Sequence, residues 1–294
     1  MNPKTENDRL EAFEQHRGLL FSIAYRMLGS VADAEDMLQE AFIRWRGVDG
    51  GEIQSPRALL VTIVSRLCIN HLQSARVKRE QYFGEWLPEP LLTEPAADGA
   101  SAVDDSLSIA FLMLLERLTA VERAVFLLRE VFDYDYAEIA HILSLTEANC
   151  RQILSRARRH VADVRPRFDP SPERREQLLH EFVDASTRGN MKGLLRLLAD
   201  DVVLHSDGGG KAAAVPKSIR GAERVARLVF GALRKFVPPD VVRRVVQING
   251  QPGIVNYHRG APQSVLTMDV RGGRIRAIYI VSNPEKLERL PLLQ

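Results

Sequence analysis

In 294 residues the chain has only two cysteines, Cys68 and Cys150. Both fall on the apolar faces of expected helices, where a small buried thiol is commoner than a disulfide or a metal ligand. No disulfide framework, metal site or cofactor is therefore expected, and a reducing cytoplasm fits. The chain also lacks any apolar run near the ~18 residues that a membrane-spanning helix requires. Met1 to Leu10 are polar and charged, so neither export nor membrane insertion is indicated. Nor is there an excess of charge. Lys and Arg number 40 against 38 Asp and Glu, a net charge of +2, so a nucleic-acid footprint has to come from local clustering. The glycine run Asp207-Gly208-Gly209-Gly210 lacks the Gly-Lys-Ser/Thr ending before a helix and is no phosphate loop. What is present, 45% hydrophobic and 27% charged residues, is the composition of folded domains, with length for two or three.

The clustering exists. Six arginines stand against the single acid Asp163 between Arg151 and Arg167. The surrounding pattern predicts a helix-turn-helix: one helix from Asp135 to Leu143, a Ser144-Leu145-Thr146 turn, and a second from Glu147 to Val161. On the second, Cys150, Ile153, Leu154, Ala157 and Val161 recur at three- and four-residue spacing. Ala148, Arg151, Gln152, Ser155, Arg158 and Arg159 fall on the opposite side. Asp135 with Glu138, and the Thr146 hydroxyl, supply start signals. A basic amphipathic helix is often only a solvated surface. Two capped helices, a short turn and an outer face of Arg, Gln and Asn together favour DNA binding, since those side chains match base edges and phosphates. Ser144 stands where glycine is usual and must adopt the turn conformation at some cost.

Three blocks emerge along the chain. In the first, Leu20, Ile23, Ala24, Met27 and Leu28 form a stripe that Gly29 stops, and Ser30 caps a second helix with Leu38, Ala41, Phe42 and Trp45 inside. Ser55-Pro56 opens a third, with Leu60, Ile63, Val64 and Leu67 inside and a basic end at Arg76-Val-Lys78-Arg79. Residues 81–106 break the pattern and read as a linker, yet Trp86-Leu87-Pro88-Glu89-Pro90 sets a large aromatic beside rigid prolines, which suggests docking. In the second block, Leu107, Ala110, Phe111, Leu114 and Leu115 mark one helix, and Thr119-Ala-Val-Glu122 is a capping box before the next. The third block, residues 170–294, predicts helices near Glu173 to Thr187, Met191 to Leu198 and Ala222 to Lys235, with a strand at Val202 to His205. Four further strands follow, separated by hairpin residues: Val241 to Ile248, Gly253 to Arg259, Ser264 to Val270 and Arg274 to Val281. An antiparallel meander with helices on one face, an α+β domain, is expected.

Asp33-Ala-Glu-Asp36-Met-Leu-Gln39-Glu40-Ala-Phe42, Ser55-Pro56-Arg57-Ala58-Leu59 and Leu118 to Arg159 resemble the two modules of extracytoplasmic-function sigma factors. More narrowly, Trp86 to Pro90, Asp207 to Gly210 and Asn283-Pro284-Glu285-Lys286-Leu287 resemble the motifs of the subgroup with a C-terminal SnoaL-like extension. Glu285 departs from the Asp usual there. The resemblance implies a multidomain chain: two all-α sigma modules (residues 1–80 and 107–166, the second a helix-turn-helix), then a curved-sheet SnoaL-like (NTF2-like) domain.

It also implies partners. Core RNA polymerase would meet Asp33, Glu35, Asp36, Gln39, Glu40 and Arg44. The downstream promoter element would meet Arg66, Asn70, Gln73, Arg76 and Lys78, although relatives carry Asn and Asp where this chain has Arg66 and Asn70. The upstream element would meet Thr146, Glu147, Asn149, Arg151, Gln152 and Ser155, with Arg156, Arg158 and Arg159 on phosphates. Regulatory contacts among the linker motif, Asp207 to Gly210 and Asn283 to Leu287 would tie the C-terminal domain to the sigma modules. His205 and Asp207, two apart, would share one side of a strand, as an acid–base dyad does. A strand-end histidine with a turn-capping aspartate fits the spacing better, and no enzyme is expected. A small-molecule ligand stays open. So do two other classes, a stand-alone helix-turn-helix regulator and an enzyme with an appended DNA-binding module.

Overall fold

A computed structural model describes residues 6–48, 53, 55–80, 82–93, 105–162 and 171–293; of residues 75–80, 105, 162 and 172 it describes the backbone only. The expected linker tract around Pro95 to Ala102, the prolines Pro166 and Pro170, and the side chains of Arg76, Lys78 and Arg79 lie outside the described residues. Described residues fall into two compact units, one within 1–80 and 114–165, the other within 81–113 and 166–294.

The first unit is helical: α1 (Glu6–Leu28), α2 (Val31–Arg46), α3 (Pro56–Glu80), α5 (Ala120–Glu130), α6 (Tyr136–Leu143) and α7 (Glu147–Ala162). The short α4 (Ile109–Leu115) runs into it. The α1 stripe is fully withdrawn from water, and Gly29 ends that helix in the left-handed region at φ 67°. Ser30 then accepts from the Asp33 amide to start α2. Both sequence-read capping boxes form, at Thr119 with Glu122 and at Asp135 with Glu138. The α4 stripe differs from expectation. Ile109, Leu112, Leu114 and Leu115 are buried, whereas Leu107, Ala110 and Phe111 are only partly so. The short helix begins two residues later than read, which rotates its inner face.

Two arginines knit the helical segments of this unit together. Arg123, 3% exposed, donates to the Met27 carbonyl at 2.6 Å and to Glu116 at 2.9 Å. Arg66 donates from Nε to the Ile142 carbonyl at 2.9 Å and from Nη2 to the Ser144 hydroxyl at 2.8 Å.

The second unit is a sheet with helices on one face: α8 (Pro172–Thr187), α9 (Met191–Leu197) and α10 (Ala222–Phe236). Strands β1 (Leu198–Asp207), β2 (Ile219–Arg220), β3 (Val242–Ile248), β4 (Gln251–His258), β5 (Ala261–Arg271) and β6 (Arg274–Val281) lie in the order β2-β1-β6-β5-β4-β3. The meander β3 to β6 is antiparallel, as its turn residues require; Asn249 and Gly250 turn at φ 53° and 72°. The sheet as a whole is mixed rather than antiparallel, because β1 runs parallel to β6. A parallel neighbour needs a long crossover, and here the whole stretch from β2 to β5 provides it. Register shifts at Leu198/Val203, Asn256/Tyr257 and Asp269/Val270 are bulges that bend strands, and they account for the curvature.

Both sheet faces are apolar and each has its own cover. Leu204, Ile254, Met268, Val270 and Ile278 pack under α8, α9 and α10. Val255, Val265, Tyr279 and Val281 point the other way, onto Leu87, Ile109, Leu287 and Leu290. The segment read as a linker thus supplies part of a core.

Candidate promoter-reading and regulatory sites

On α7 the helical wheel is realised residue by residue. Cys150, Ile153, Leu154, Ala157 and Val161 are buried, and Glu147, Asn149, Arg151, Gln152, Ser155, Arg156, Arg158 and Arg159 are exposed. Thr146 starts the helix by accepting from the Asn149 amide at 3.2 Å. Ser144 takes the left-handed conformation at φ 55°, the cost foreseen from its replacing glycine. The arginines are held to different degrees. Arg151 pairs with Glu147 at 2.6 Å and lies over the Tyr136 ring, and Arg158 pairs with Glu130 at 2.5 Å. Arg156 stands 4.0 Å from Glu122, while Arg159 has no ion-pair partner among the described residues.

The acidic helix α2 is similarly graded. Asp33 faces His71 at 3.6 Å, Glu35 pairs with Arg17 at 2.5 Å, and Glu40 with Arg44 at 2.8 Å. Asp36 and Gln39 are exposed. On α3, Asn70 and Gln73 are exposed, but the Arg66 guanidinium is engaged by the last carbonyls of α6. Cys68 is buried, and burial pushes its thiol far above the usual range, so it is inert packing rather than chemistry.

In the sheet unit the three short motifs converge on one carboxylate. Asp207, 1% exposed, accepts through Oδ1 from the Tyr82 hydroxyl at 2.6 Å and the Gly209 amide at 2.9 Å. Through Oδ2 it accepts from the Leu87 amide at 2.9 Å and Lys286 Nζ at 2.7 Å. Lys286 also donates to the Leu87 carbonyl and stands 4.2 Å from the Trp86 ring centre. Asn283 donates to the Tyr82 hydroxyl at 2.8 Å, and its own side chain caps the 3-10 turn Pro284–Lys286. Glu285 pairs with Lys211 just after the glycine run, and Glu89, 4% exposed, lies 3.9 Å from Arg289. Leu87 is fully buried, with Pro88 and Pro90 buried beside it. A Cβ on Gly208 would strike the Ala212 carbonyl; Gly209, at φ 59°, would strike Asn283.

Three contributors escaped the sequence reading. Tyr82 precedes the motif and offered no signal. Burial, then its bond to Asp207, raises its hydroxyl pKa well above the ordinary range, so it stays a donor. Asn249 read only as a turn residue. Its side chain accepts from the Leu91 amide at 3.1 Å and donates to the Leu107 carbonyl at 3.0 Å, pinning the linker at two places. Glu85 binds His205 Nδ1 at 2.7 Å.

His205 and Asp207 do share one side of β1, and it is the side facing the linker. His205 stacks on Tyr279 and pairs with Glu85, while Asp207 pairs with Lys286. Leu204 and Ser206, of opposite parity, face a cavity beneath α8 and α10. The two side chains therefore serve structural bonds on the linker-covered face, opposite the cavity that Leu204 and Ser206 line.

An acid-faced helical module, an arginine-faced helix-turn-helix and a sheet domain that grips the intervening linker define a fused transcription-initiation protein. Residues 12–77 match the family described as Sigma-70 region 2, and residues 108–161 that described as Sigma-70, region 4. The chain belongs to the extracytoplasmic-function (ECF) RNA polymerase sigma factors. It is 36% identical over 302 residues to the ECF RNA polymerase sigma factor SigJ of Mycobacterium tuberculosis, covering 98% of this chain and 95% of that protein. It is 32% identical to the Probable ECF RNA polymerase sigma factor SigI of that species, covering 95% and 94% respectively. The crystal structure of the M. tuberculosis extracytoplasmic function sigma factor SigJ superposes with a TM-score of 0.76 at 33% identity, covering 96% of this chain and 98% of that one. The function is that of a sigma factor, promoter recognition, and the SnoaL-like C-terminal extension is part of the shared fold. Among the described residues no helix is long and apolar enough to cross a membrane.

Proposed function

We propose that this sigma factor binds core RNA polymerase through α2, reads promoter DNA through α3 and α7, and has its output set by its own C-terminal domain. It works in the cytoplasm and catalyses no reaction. Convergence of three separated motifs on buried Asp207 is the observation that carries the regulatory part. An internal domain acts at high effective concentration, so it can govern the linker between two DNA-reading elements without a separate inhibitor. On α2, exposed Asp36 and Gln39, flanked by Asp33, Glu35, Glu40 and Arg44, suit a basic partner. On α7, Thr146, Glu147, Asn149, Arg151, Gln152 and Ser155 face base edges, and Arg156, Arg158 and Arg159 meet phosphates. Asn70 and Gln73 supply polar groups for an unstacked base. Arg66 joins them only once its bonds to α6 are released.

The test is in-vitro transcription with core polymerase and a promoter library, comparing the full chain with Trp86→Ala and Lys286→Met variants. Promoter-dependent transcripts from the parent, and altered output from variants that still bind core enzyme, are expected. Unchanged output would remove the regulatory role. Absence of core binding and of initiation from every template would remove the polymerase assignment.

A further inference from the structure

We propose that the cavity of the C-terminal domain binds a small apolar molecule bearing a single carboxylate. The cavity, about 510 Å³, lies between the helix-covered face of the sheet and helices α8 and α10. That size suits a ligand of ordinary small-molecule dimensions. Its walls are predominantly apolar, with Phe182, Leu204, Val229, Leu233 and Ile254 among them, and half-exposed Phe236 also lines it.

Three of its polar groups stand in line. Arg243, Asn256 and Ser264 are successive register partners on β3, β4 and β5, forming a row across three neighbouring strands. Two residues further along, Ile254 and Leu266 are paired in the same way, so the polar row gives way at once to an apolar one. Asn256 donates to the Ser264 hydroxyl at 2.9 Å, which fixes the carboxamide. Arg243 is half-buried and makes no hydrogen bond or ion pair among the described residues, although a guanidinium beside an apolar cavity gains strongly from an anion. Among the described lining residues it is the one ionisable side chain. One cation with neighbouring amide and hydroxyl groups matches a monoanionic carboxylate; a phosphate dianion would call for a second positive charge. Ser186, on the α8 wall, has a buried hydroxyl without a hydrogen-bond partner. Among the described lining residues there is no carboxylate or imidazole, and what is proposed for the site is binding.

The experiment titrates the full-length chain with a dansylated undecanoic acid, then displaces the probe with decanoate, decanol or decylamine. The expected result is one probe per chain, with decanoate at least about tenfold stronger than the alcohol or the amine. Arg243→Gln should erase that preference and leave decanol unaffected. Ala232→Trp, which plugs the α10 wall, should abolish probe binding while the melting temperature stays at the parental value. Absence of saturable binding to the folded parent would overturn the proposal. So would equal affinity for the three competitors, or a decanoate preference that survives Arg243→Gln. Should the tryptophan variant not fold, the Arg243→Gln selectivity decides alone.

Discussion

Asp207 and Lys286 form a pair whose side chains are 0% and 11% exposed, joined at 2.7 Å in the core beneath the linker. A buried pair of this kind stabilises little against an apolar substitute, but removing one partner strands the other charge. Lys286→Met should therefore cost about 3 kcal/mol of unfolding free energy in urea titration. The double variant with Asp207→Asn should recover part of it; a loss well under about 1 kcal/mol would show that Tyr82 and the two amides suffice for the carboxylate. Asp269 makes a different point. Burial raises its carboxyl above the ordinary value, opposed by the charges of Arg271, Arg175 and Arg276. The folded chain then holds that proton more tightly than the unfolded chain. This contribution is complete below the unfolded pKa near 4 and is lost as pH rises through the folded value. Asp269→Asn cannot ionise, so its melting temperature should exceed the parent's near pH 7, with the gap closing as pH falls through the carboxylate range. A gap constant with pH would place its origin elsewhere.

At the scale of elements, periodicity and caps carried most of the information. The α7 wheel came out as drawn because an amphipathic helix of 16 residues has one energetically acceptable face to bury. Short elements fared worse. The seven residues of α4 leave its facing to neighbours, and the two-residue β2 has no pattern to read. Strand β1 is ten residues long where four were foreseen, because pairing with β6 recruits Ser206 and Asp207 at one end and Leu198 at the other, across a register shift. On α7 the unequal holding of the arginines predicts unequal roles. Arg159→Ala should weaken binding to every promoter alike and flatten the salt dependence by a slope of about 0.9. Arg151→Ala or Gln152→Ala should change sequence preference instead. A promoter-variant panel in which all three behave equally would refute that division.

Across the whole molecule, Arg66 and Arg123 bond helices that lie far apart in the chain within the helical unit. Arg66→Ala should lower the stability of that unit by about 1 kcal/mol and speed amide exchange in α6, leaving α10 unchanged. Equal protection in parent and variant would show the bonds to be incidental. The C-terminal unit teaches the same lesson through β1, whose odd residues hold the linker while Leu204 and Ser206 line the cavity.

Sequence alone determined the helices, their caps, the hairpin turns and the arginine face, since these depend on neighbours within a few residues. It also marked three motifs expected to contact one another, without saying through which groups. Only the tertiary structure decided that the Asp207 carboxylate is the buried acceptor where they meet, that His205 and Asp207 face the linker instead of the cavity, and that Tyr82 and Asn249 belong with them. The physical reason is separation along the chain. Leu87 and Asp207 stand 120 positions apart, and no local propensity reports which distant partner will satisfy a buried charge.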